Sequence, residues 1–170
     1  QINLFELTAA KKSTEQILSD ELKASSLIKI ASAEANVENR ACFITFNTAD
    51  QIISGLEEHK SEPLLLELAI AYAEAGAFPL ALEVEREIEN HRYKVKIQTI
   101  IFACQYLDDE LEKDDLKAKF EMLKEEIKTS PHLDYQIKVF QEIACAEARA
   151  GFKKDSLETF KHTLEKIDFS

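Results

Sequence analysis

The sequence predicts an all-α protein, a right-handed α-solenoid of antiparallel helix pairs with about nine helices, in one domain spanning 1–170. Three observations carry that expectation. Glycine and proline number three each in 170 residues, scarce for a β protein and natural for a helical one. The stretch "ELAIAYAEAGAFPLALEVEREIE", Glu67 to Glu89, sets alanines at nearly every second position, then breaks on Gly76 and Pro79. The same pattern returns 75 residues later, where Ala69, Ala71, Ala73, Ala75, Gly76 and Leu82 fall on Ala144, Ala146, Ala148, Ala150, Gly151 and Leu157.

Residues 1–23 read as a partial repeat or capping helix, "STEQILSDEL", with Ser13 and Gln16 spaced as a capping box. The first helix pair, 24–60, carries Leu27, Ile30, Ala31, Ala33, Ala35 and Val37, with Glu38 where the glycine would stand. Its "ACFITF" alternates weakly but continues into "NTADQIISGL" at helical spacing, so no strand is expected. In the second pair, 61–92, Pro63 is placed at the start of one helix and Pro79 at the start of the next, where a missing N–H costs little. Gly76 suits the left-handed residue that ends a helix.

The third pair, 93–130, has Ile97, Ile100, Ile101, Ala103 and Leu107, with Asp108 placed at the turn and a longer acidic loop, "DDELEKDD". Its second helix aligns Leu116, Phe120, Leu123 and Ile127 on one face. Pro131 opens the fourth pair, 131–170, which ends its first helix at Gly151. The anchors Ile30, Leu68, Ile100 and Ile143 are thus 38, 32 and 43 residues apart. Alanine favours helix and lets a neighbouring helix approach closely, as stacked pairs require.

A net charge of −11 and a pI near 4.9 repel phosphate backbones and anionic lipid, so nucleic acid is not expected as a partner. The charge serves solubility and would steer a basic or amphipathic partner. No apolar run reaches bilayer length, so no membrane insertion is expected. Cys42, Cys104 and Cys145 sit in alanine-rich helical segments and read as small buried hydrophobic residues of a reducing, cytoplasmic compartment. The chain opens at Gln1 inside a helical pattern, as a fragment of a longer array would.

No phosphate-binding glycine loop, H-E-x-x-H, G-x-S-x-G or C-x-x-C is present. His59, His91, His132 and His162 recur in no ligand spacing, and the acidic turn lacks the glycine of a calcium loop, so neither metal nor cofactor is expected. In stacked pairs the first helices line the concave surface. The outward stripe read there comprises Ser32 and Asn36; Leu66, Ile70 and Glu74; Gln98, Phe102, Gln105 and Tyr106; and Gln141, Cys145 and Arg149. Phe102 and Tyr106 are the natural anchors of such a groove; a place for Ile70, Phe102 and Cys145 in the core stays open.

Leu68-Ala69, Tyr72, Gly76, Phe78 and Ala81 stand in the order and spacing of the tetratricopeptide repeat, and this part of the chain resembles that family. The last copy agrees at Ile143-Ala144, Gly151 and Phe160, with Glu147 in place of the aromatic; the first and third keep only the apolar spacing. The resemblance implies a peptide- or protein-docking scaffold without enzymatic activity, binding a helix or extended peptide in the concave groove. Two alternatives stay open: an acidic secretion chaperone for an effector or translocator, and a regulatory subunit or helical hydrolase. Carboxylate clamps for a C-terminal peptide are not evident, and self-association through the array ends is a further option.

Overall fold

The computed structural model describes residues 4–168. Among them lie nine α-helices and no strand: α1 (Leu4–Thr14), α2 (Asp20–Ala35), α3 (Cys42–Ile53), α4 (Glu58–Glu74), α5 (Phe78–Glu87), α6 (His91–Leu107), α7 (Lys113–Lys128), α8 (Leu133–Arg149) and α9 (Lys153–Asp168). The chain divides into two compact units, Gln1–Asn90 and His91–Ser170. In the first, α2 packs on α1, α3 and α4, and α4 also packs on α3 and α5. Its core centres on Phe46, Ile53, Leu68 and Ile88, all essentially inaccessible. In the second, α6 packs on α7 and α8, and α8 packs on α7 and α9. Here Leu116, Phe120, Leu123 and Ile127 turn inward as one stripe against Val139, Phe140 and Ile143.

The ends of α2, α4, α6 and α8 are built alike. Each is followed by a residue of positive φ: Glu38 (55°), Gly76 (73°), Asp109 (58°) and Gly151 (82°). The next amide reaches back to the carbonyl five residues earlier, from Asn39 to Glu34, Ala77 to Tyr72, Glu110 to Gln105 and Phe152 to Glu147, at 2.8–2.9 Å. The left-handed residue itself donates to the carbonyl of Ala35, Ala73, Tyr106 or Ala148. This pair of bonds is the Schellman cap, which satisfies carbonyls that the helix leaves open. The fourfold repeat therefore exists as hydrogen-bond geometry even in the two copies that lack the glycine.

That geometry corrects the register of the third copy. The left-handed residue is Asp109, not Asp108, so α6 is aligned one residue later than the apolar spacing suggests. Position 105, not 104, then corresponds to Glu34, Tyr72 and Glu147. An acidic run offers several residues able to take the turn, and only the backbone decides among them.

Two further expectations are displaced. Ser13 and Gln16 do not open a helix: Ser13 Oγ donates to the Ala9 carbonyl and closes the last turn of α1. The cap lies at Ser19, whose hydroxyl accepts from the Leu22 amide at 3.4 Å. Pro63 falls inside α4, which begins a turn earlier at Glu58; its exposed ring leaves only one backbone bond unmade.

A polar cluster recurs at one position of this geometry. Glu34 and Glu147 each precede the left-handed residue by four and are almost fully buried. Lys11 of α1 reaches Glu34 Oε1 at 2.7 Å, and Lys124 of α7 reaches Glu147 Oε1 at 2.7 Å. Thr45 of α3 donates to Glu34 Oε2 at 2.6 Å, and Thr159 of α9 to Glu147 Oε2 at 2.8 Å. Each carboxylate is thus held by the helix before and the helix after. In the second copy Tyr72 occupies this place, its ring 4.7 Å from Phe46 of α3. Burial, then the Asp50 carboxylate, push the Tyr72 phenol up to about 12.

Candidate groove between α6 and α8

Within the second unit, α6 and α8 leave a groove of about 180 Å³ between them. α6 contributes Lys96, Thr99, Ile100, Ala103, Cys104 and Leu107. These positions recur at helical spacing and form one face. From α8 come Glu142, Cys145, Ala146 and Arg149, again one face. Ile100, Ala103 and Ala146 make a buried apolar floor, while Leu107 and Cys145 are exposed at the opening. Of the three cysteines expected in the core only Cys42 is buried; Cys104 is half-buried and Cys145 exposed, because both line the groove. Lys96 Nζ meets Glu142 Oε1 at 3.0 Å, with Arg92 at 3.8 Å from the same oxygen. The groove thus offers small apolar contacts with charge at its margin, the mixture that docking surfaces use.

Of the stripe read from sequence, Cys145 and Arg149 line this groove. Gln141 is exposed on the same helix. Gln98, Phe102, Gln105 and Tyr106 are half-buried on α6 and are not among the lining residues. Lys119 of α7 stands over the Phe102 ring at 4.5 Å from its centroid, and Tyr106 lies 5.3 Å from Phe152. In the corrected register Phe102 takes the place filled by the fully buried Ala31, Ala69 and Ala144, which accounts for its engagement with the neighbouring helix. In the first unit Leu66 and Ile70 are half-buried and Glu74 exposed on α4, while Asn36 caps α2.

The one-residue shift also accounts for the lining residues that the apolar spacing passed over. Gln141, Cys145 and Arg149 correspond to Thr99, Ala103 and Leu107 on α6, not to Gln98, Phe102 and Tyr106. Lys96 and Glu142 carried no separate signal, because their pairing joins residues 46 apart.

No family model, no curated protein and no solved structure matches the chain.

A second cavity, of about 430 Å³, is lined by His91, Glu126, Ile127, Thr129, Ser130, His132 and Tyr135. His91 Nε2 lies 3.2 Å from Glu126 Oε1, and Tyr135 Oη lies 3.0 Å from His91 Nδ1. A neutral imidazole protonated on Nε2 satisfies both bonds, donating to Glu126 and accepting from Tyr135. Burial, then the Glu126 charge, raise the Tyr135 phenol above its ordinary value. Among the described residues no three His, Cys, Asp or Glu side chains group so as to hold a metal ion. No helix of the described chain is long and apolar enough to cross a membrane.

Proposed function

We propose that this chain is a non-enzymatic, cytoplasmic protein-interaction module that takes a helix or extended peptide of a partner protein between α6 and α8. With this goes a fold assignment: helix pairs of tetratricopeptide type, antiparallel within each pair and stacked right-handed within each unit. The fold part draws on the four matching Schellman caps. The functional part rests on one observation. The groove is lined by register-equivalent residues of two successive first helices, with an apolar floor and a charged margin.

Affinity capture from cells that naturally make the protein, comparing the native chain with Cys145→Trp, tests this. Cys145 is exposed, so an indole there fills the groove without entering the core. The proposal expects specific partners to be lost while helical circular dichroism is unchanged. An identical partner set from both chains would remove the groove from the account.

A further inference from the structure

In α3, Thr45 bonds Glu34 of the preceding helix, and the next residue, Phe46, is 0% exposed against Tyr72 of the helix that follows. In α9, Thr159 makes the equivalent bond to Glu147, and the next residue is Phe160. Phe160 therefore stands where Phe46 stands, but it is 38% exposed. Leu157 and Leu164, three before and four after, are 55% and 60% exposed and continue the same helical face. This stripe shares no residue with the groove between α6 and α8.

The filled seats show what such a face accepts. Lys11 meets Glu34, Lys124 meets Glu147, and Phe46 meets Tyr72. In these three pairs cation faces carboxylate and aromatic faces aromatic, each at the residue four before a left-handed turn. We propose that Leu157, Phe160 and Leu164 seat a helix of a partner protein that resembles α4: alanine-rich where it touches, with an aromatic side chain set against Phe160. A second copy of this chain does not supply it, because its helices of that kind already bury Leu68 and Ile143 in their own cores. A carboxylate at the aromatic position would meet Phe160 with no cation, at the cost of desolvating it.

The probes are two synthetic peptides, one with the sequence of α4, Glu58–Glu74, and one with that of α8, Leu133–Arg149, added to the intact chain and followed by fluorescence anisotropy. The native chain is expected to prefer the α4 peptide over its Tyr72→Glu version by roughly tenfold, the scale of one interfacial aromatic anchor. Phe160→Lys is expected to invert the choice in favour of the α8 peptide, whose Glu147 then finds a cation. Leu164→Lys, on a residue more exposed than Phe160, should weaken the α4 peptide while leaving the fold intact. Equal affinity for all peptides, no binding at all, or an unchanged preference in Phe160→Lys would overturn the proposal. So would sedimentation showing that the native chain dimerises and both variants are monomeric, which would make a second copy the occupant.

Discussion

Replacing Lys124 by Met severs the bond that holds the Glu147 carboxylate from the α7 side. Glu147 has a side chain 2% exposed, and Lys124 one 11% exposed. The ammonium also reaches Glu121 at 2.8 Å, but Glu121 is largely in water and contributes little. After the substitution Glu147 keeps only the Thr159 hydroxyl at 2.8 Å. A buried charge left without its partner costs about 3–5 kcal/mol. Glu147→Leu alone strands Lys124 less severely, because that ammonium can turn to Glu121. The double variant removes both charges from a site that Tyr72 and Phe46 show can be filled by apolar groups, and should fall between neutral and about 4 kcal/mol more stable than native. Urea denaturation of the four proteins gives the coupling directly. A Lys124→Met cost below about 1 kcal/mol, with additive singles, would refute the buried-pair reasoning. The pH dependence has a definite sign. Burial lowers the Lys124 pKa, but the hydrogen bonds that its ammonium donates to Glu121 and Glu147, with the charges of those carboxylates, outweigh it, so the net shift is upward. The stabilisation is therefore complete below the ordinary lysine range and lost as pH rises through the raised value, a loss that Lys124→Met should not show.

Lys11→Met should cost less than Lys124→Met in the same urea titration, since the Lys11 side chain is 33% exposed and better screened. Gly151→Ala meets no atom within 4 Å, so its expected penalty of about 1 kcal/mol in thermal denaturation is purely that of the 82° φ; Asp109→Gly should stabilise by up to about 1 kcal/mol for the same reason. Phe46→Ala empties the space against Tyr72 and should destabilise the first unit by about 3–5 kcal/mol. Maleimide should label exposed Cys145 first, half-buried Cys104 more slowly, and Cys42 only on unfolding, because burial both covers that thiol and raises its pKa; native labelling of Cys42 by mass spectrometry would contradict the packing of α3.

Much of this was legible in the chain, for reasons that particular residues make plain. Gly76 and Gly151 announce left-handed caps because glycine alone adopts them freely. The alanines at 31, 69 and 144 announce close helix contact and are fully buried. Glu38 and Asp109 carry no such mark, since their positive φ is imposed by the helices on either side. Placing the third turn one residue early therefore selected Phe102 and Tyr106 in place of Ala103 and Leu107. The buried clusters at Glu34 and Glu147 were hidden for another reason. A glutamate on an alanine-rich helix reads as surface until the lysine 23 residues before it and the threonine beyond the turn are brought to it. Likewise, Tyr72 and Glu147 look like a match and a mismatch in sequence, yet both fill the same contact between one helix and the helix before it.

The groove between α6 and α8 is tested most directly by placing a photo-crosslinking amino acid at Leu107, 60% exposed at the groove, or at Met122, 59% exposed on α7 and outside it. Equal exposure makes the two positions a matched pair. Docking in the groove predicts a specific protein adduct from Leu107 and none from Met122. Equal adducts from both, or an adduct from Met122 alone, would contradict it.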